Sequence, residues 1–187
     1  MQEINEVVSI PVKEASEDLL APYGIFLGES VHRPGLSIPF YQGAVEEGAN
    51  LDFVCSGQSV IRTARISPRN TEVIWLEYHA ILTQVFIGLG TQPFVMVLGR
   101  PQKEARIPDL NQVEAFLFPP GHGVLLGQRV WHDFPMAVSE PVTIFTINSE
   151  EVVQALASQP HPADMNRGDV YKIHVKTHTG KHLRVEM

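Results

Sequence analysis

From Leu51 onward the chain is divided into short runs that read as β-strands, each closed by glycine, proline or a polar turn. The runs fall at Ser59 to Ile66, Glu72 to Tyr78, Gln84 to Leu89, Pro93 to Leu98, Val113 to Phe118, Gly123 to Leu126, Val130 to Phe134 and Val142 to Asn148. Breakers stand between them at Pro68-Arg69-Asn70, Gly99-Arg100-Pro101 and Pro119-Pro120-Gly121. Short strands at near-regular spacing suggest a sandwich or a barrel, and the pattern alone does not choose between them. The chain reads as all-β.

Helical signals are few and peripheral. Val7 to Val12 reads as a strand, and Lys13 to Ala21 as a short helix stopped by Pro22 and Gly24. Residues 28–50, rich in glycine, proline and serine, read as a surface excursion placed to cover a pocket. Ser149 reads as an N-cap, with Glu150 and Glu151 in the first turn of a helix ending near Ser158. Residues 158–187 read as a C-terminal extension to a single domain spanning 1–187, with a β-hairpin turning at Thr179-Gly180. Lys172, His174 and Lys176 alternate there with Tyr171, Ile173 and Val175, which reads as a solvated basic strand face.

A length of 187 residues suits one domain with a sizeable core. The net charge of −7 argues against a general nucleic-acid or anionic-membrane binder. No apolar run approaches the roughly 20 residues of a membrane span. The start, MQEINEVVSI, lacks the basic and apolar pattern of a signal peptide. Cys55 is the one cysteine, so no internal disulfide is possible. The expectation is a cytoplasmic protein.

The stretch Val73 to Phe94 carries the chemistry. Glu77 and His79 stand two apart, which places both on one face of a strand with Val73 and Trp75. Gln84 follows inside an apolar run. Burying a carboxylate and an imidazole on one face is costly without partners, so that face is a solvated rim or lines a site. His132, in Val130-Trp131-His132-Asp133-Phe134, is the second histidine candidate.

The pattern Glu77-x-His79-x4-Gln84 resembles a variant of the first cupin motif. More closely, LEYHAILTQVFIGLGTQPFVMVLG and GVLLGQRVWHDFP resemble two core segments of the ureidoglycolate lyase family, and IPVKEASEDLLAPYG resembles its opening. The resemblance implies a cupin double-stranded β-helix barrel with short peripheral helices. It also implies a C–N lyase that splits ureidoglycolate into glyoxylate and urea in purine and allantoin breakdown. A homodimer is expected on separate grounds: hairpins left at a barrel's edge tend to be paired or covered, so an edge strand from the N-terminal region or the basic C-terminal hairpin reaches the neighbour. By resemblance, Glu77, His79 and His132 surround the reacting carbon, Arg65, Gln84 and Trp131 contact a small carboxylate substrate, and His79, Gln84 and His132 could hold Ni, Mn, Fe or Zn. Arg62 is the alternative to Arg65 if the strand register differs.

The chain departs from the family pattern in named places. Gly127 and Asp133 stand where the family has histidines, and Tyr41-Gln42-Gly43 where it has Asn-Asn-Gly. His122 could compensate spatially, although its glycine-flanked turn reads as exposed. These departures leave two alternatives: a related enzyme acting on another small hydroxy or keto acid, or a non-catalytic cupin that binds a small acid.

Overall fold

The computed structural model describes residues 6–102 and 106–187. The first five residues, part of the stretch in which no leader was read, lie outside it. In chain order the strands are β1 (Glu6–Glu14), β2 (Gly24–Leu27), β3 (Ser59–Ile66), β4 (Trp75–Tyr78), β5 (Gln84–Leu89), β6 (Phe94–Gly99) and β7 (Val113–Phe118). They continue with β8 (Gly123–Leu126), β9 (Trp131–His132), β10 (Met136–Ala137), β11 (Val142–Ser149), β12 (Met165–Arg167), β13 (Val170–His174) and β14 (Lys181–Glu186). Among the described residues three short α-helices stand outside the sheets: α1 (Glu17–Leu20), α2 (Glu150–Ala157) and α3 (Val175–Thr179).

Among the described residues the strands form two curled sheets of an all-β, cupin-like fold. The small sheet runs β2-β8-β5-β11-β3. The large one runs β12-β13-β4-β9-β6-β7-β1-β14, with β10 beside β6. Phe86 and Ile144 of the small sheet meet Phe94, Met96, Leu98, Phe116 and Phe118 of the large one in a shared core. The rings of Phe94 and Phe118 stack there at 4.8 Å. A second core, with Trp131, Leu76, Val97 and Leu183, lies on the other face of the large sheet. That sheet curls far enough for β14 to hydrogen-bond the segment just before β4, through Val73 N–H to Leu183 O and Val185 N–H to Thr71 O.

The ends of the chain differ from the sequence expectation. Strand β1 continues to Glu14 because its last three residues pair with β7, leaving only four residues for α1. Tertiary pairing there outweighs a weak local helix preference. The tail is no hairpin about Thr179-Gly180: Val175–Thr179 is helical and ends on Gly180 in the left-handed conformation at φ 72°. The hairpin is β12–β13, turning at Gly168-Asp169, both at positive φ as a tight two-residue turn requires. Both ends are paired inside the chain, β1 with β7 and β14, and β13 with β4. Strand β12 of the hairpin is left at the edge of the large sheet, and a homodimer stays a proposal. Ser149 does cap α2, accepting from Val152 N–H. Among the described residues no helix is long and apolar enough to cross a membrane.

Candidate functional site

Antiparallel neighbours that face one another in register point to the same side of a sheet. Lys172 of β13 is opposite Glu77 of β4, which is opposite His132 of β9, which is opposite Leu98 of β6. Leu98 belongs to the core between the sheets, so the whole row faces inward. His79, two residues past Glu77, joins the row's face, and Gln84 enters from the start of β5 across the connecting loop. Glu77, His79, Gln84 and His132 are all buried.

Each polar group has a defined set of partners. Glu77 Oε2 accepts from Lys172 Nζ at 2.8 Å, while its Oε1 lies 3.6 Å from His132 Nε2. His132 Nδ1–H donates to Val130 O at 2.9 Å, and its buried Nε2 has no hydrogen-bond partner. His79 Nδ1–H donates to the Asp169 carbonyl at 2.7 Å, and its Nε2 lies 3.1 Å from Gln84 Oε1. An amide carries both a donor and an acceptor, so Gln84 can serve this nitrogen in either protonation state. The two imidazole rings are 5.3 Å apart.

Burial raises the Glu77 carboxyl, but Lys172, His132 and His79 together outweigh it and hold the group below its ordinary value. Burial also pushes His132 down to about 4, against the opposing pull of Glu77. At neutral pH a neutral imidazole therefore directs a bare lone pair toward an ionised carboxylate oxygen. Two electron-rich atoms so placed favour a guest that brings positive charge or an O–H or N–H group.

The donor set fits a divalent cation. Single ligand atoms of Glu77, His79 and His132 lie within 4.8 Å of one another, and the unpartnered His132 Nε2 is among the nitrogens on offer. Two imidazoles and one carboxylate are a familiar transition-metal set, and both histidines have Nδ1 fixed by a backbone carbonyl, as ligating histidines commonly do. Lys172 contacts only Oε2, which leaves Oε1 facing the histidines.

Two expected contributors lie elsewhere. Arg65 is exposed and hydrogen-bonds Thr143 on the outer face of the small sheet. Its neighbours Ala64 and Ile66 point inward, so its alternation phase excludes it from the cluster. Arg62 has the other phase: it is opposite Thr146, itself opposite Phe86, whose ring is 6.1 Å from His132. The alternative arginine thus has the inward phase, in line with a buried Thr146 hydroxyl that has no hydrogen-bond partner, although Arg62 is itself exposed. Trp131 points away from His132 into the second core, where it meets Tyr78 edge-on at 4.8 Å. His122 stacks on Phe26 beside a separate cavity and does not join the cluster. Asp133 is buried against Arg69 at 2.6 Å, and burial raises its carboxyl despite that partner.

Sequence reasoning missed Asp169 and Lys172. Asp169 orients His79 with its carbonyl, and its carboxylate accepts the N–H groups of Ala80, Ile81 and Leu82. The loop between the two motif residues on β4 and β5 is therefore clamped by a turn almost ninety positions away. The adjacent Gly168-Asp169 pair was the available turn signal. Lys172, read as part of a solvated basic face, is the partner of Glu77.

The family model for ureidoglycolate lyase matches residues 39–166, more than half of the chain. The matched span includes Arg62, Glu77, His79, Gln84 and His132, and ends before Asp169 and Lys172. No curated protein matches the chain.

Proposed function

Because the chain belongs to the ureidoglycolate lyase family, we propose that the Glu77, His79 and His132 cluster is a lyase centre splitting ureidoglycolate into glyoxylate and urea. The observation that carries the reading is His132, buried and neutral, with Nδ1 tied to Val130 and Nε2 open toward Glu77. In the proposed reaction Nε2 takes the hydroxyl proton of the carbinolamide. The C–O bond becomes a carbonyl as the C–N bond breaks, and the same proton passes to the departing nitrogen. No net proton is gained or lost. Glu77 steadies the transient imidazolium, and Lys172 keeps Glu77 ionised beforehand. His79 and Gln84 offer hydrogen-bonding groups to the ureido end. Arg62, exposed but on the inward phase of β3, would fork the carboxylate of a bound substrate.

A second reading rests on the donor set itself. Glu77, His79 and His132 would hold a divalent cation (Ni, Mn, Fe or Zn), which when bound supplies a Lewis acid for the substrate's oxygens. His132 would then use its lone pair as a ligand and could not also take the proton, so the two readings exclude one another.

Urea and glyoxylate release by the purified protein, measured with and without a chelator and paired with metal analysis, separates them. Equimolar products without stoichiometric metal support the acid–base reading. One ion per chain with chelator-sensitive turnover supports the second. Absence of both products ends the ureidoglycolate reading and leaves a related hydroxy or keto acid, or acid binding without turnover.

A further inference from the structure

The hairpin that carries Lys172 also walls a cavity of about 280 Å³ outside the cluster. Trp75, Leu156, Pro160 and Met165 supply apolar walls, and Gln159, His161 and Lys172 supply the polar groups. Among the described residues that line it there is no carboxylate. Glu77 lies behind Lys172 with its side chain only 6% exposed, whereas the Lys172 side chain is 23% exposed. Lys172 is the one lysine or arginine among the described lining residues, and its ammonium is already paired with Glu77 at 2.8 Å. That group has three N–H donors, and Glu77 Oε2 accepts one of them.

We propose that this cavity binds a small organic carboxylate with an apolar or aromatic body, its carboxylate on Lys172 and its body between Trp75 and Met165. A lysine in the wall of such a pocket favours an anion over a neutral ligand, because the N–H donors that Glu77 leaves over would otherwise lose water without gaining an acceptor. The walls favour a body that gains from leaving water, at about 25 cal/mol per Å² of apolar surface buried. Ureidoglycolate is polar along its whole length and gains little from such walls. The site therefore does not rest on the lyase reading. Its ligand is either the apolar part of a different substrate or a second molecule bound beside the cluster.

Isothermal titration calorimetry with phenylacetate tests the proposal, with acetate and phenylacetamide as the probes lacking the body and the charge. Phenylacetate should bind saturably, and acetate and phenylacetamide should each be roughly tenfold weaker or worse. Lys172→Arg should retain binding, while Lys172→Met should lose it roughly tenfold. Removing Lys172 leaves Glu77 uncompensated, so Ala163→Trp, at the exposed rim, provides a variant that fills the cavity without touching that pair. It should abolish binding. Competitive inhibition of turnover by phenylacetate assigns the cavity to the substrate's own body, and undisturbed turnover assigns it to a second ligand. The anion site stands in both cases. Phenylacetamide binding as tightly as phenylacetate, unchanged binding in Ala163→Trp, or no saturable heat overturns the proposal.

Discussion

His132 Nε2 lies 3.6 Å from Glu77 Oε1 although the two residues are 55 positions apart, and strand pairing between β9 and β4 puts them there. Both groups titrate below their ordinary values in the folded chain, for different reasons. Burial lowers His132, while Glu77 is lowered by Lys172 and the histidines against the effect of burial.

The first prediction concerns acid. A lowered folded value means that the unfolded chain binds protons first, so stability is full above the unfolded value and falls as pH drops toward the folded one. For His132 the window runs from 6.5 down to about 4. Glu77 acts in the same sense lower on the scale, below the ordinary carboxylate value. Urea unfolding should show little pH dependence above neutrality and a loss on the order of 3 kcal/mol across the His132 window. His132→Gln, which cannot titrate, should remove most of that slope. An unchanged slope in the variant would assign the acid sensitivity to other groups.

Lys172→Met should destabilise the fold by about 3 kcal/mol, because it leaves a buried carboxylate without its cation. The low end of the usual range applies, since Lys172 is partly exposed. Replacing Glu77 and Lys172 together, as Glu77→Gln with Lys172→Met, should recover much of the loss. Equilibrium unfolding of the two variants and the wild type checks this, and a double variant as unstable as the single one would contradict the pairing.

Asp169→Ala should loosen the loop after His79. It removes acceptors from three backbone N–H groups, and each unsatisfied group costs about 1 kcal/mol or more where water cannot replace it. Asp169→Asn should fall between the two, since asparagine retains one acceptor and tolerates the φ of 55° found here. Hydrogen exchange at Ala80, Ile81 and Leu82 should accelerate in the order wild type, Asn, Ala. Equal protection in all three would remove the clamp from the account.

Much of this was legible in the sequence for a simple reason. Period-2 alternation broken by glycine and proline marks strands directly, and the series from β3 to β11 falls close to where the pattern places it, apart from the two-residue β10, which it does not mark. Glu77, His79 and His132 were legible because one pair shares a strand face at spacing two and the other lies in a recognisable segment. Arg65 illustrates the limit. It and Arg62 differ by an odd number of positions, so they point to opposite faces, and only strand pairing determines which face is inward. Trp131 beside His132 is separated from it by the same alternation. Asp169 and Lys172 were not legible, because their roles depend on β13 pairing with β4 across more than ninety positions.

His79→Ala tests the orientation network. The residue is 2% exposed and its ring is held by Asp169 and Gln84, so its removal is not cost-free as it would be in a wet pocket. A loss of about 1–3 kcal/mol is expected, together with a fall in turnover of about 10²-fold or more. Thermal unfolding and initial rates on the same preparation measure both. A destabilised variant with full specific activity would make His79 architectural only.

The most direct measurement is glyoxylate release from ureidoglycolate by wild type and by His132→Gln, with the fold of each checked by near-UV circular dichroism. The account predicts turnover by the wild type and a loss of about 10²–10⁴-fold in a natively folded His132→Gln. Equal turnover by the two proteins, or no glyoxylate from the wild type, would contradict it.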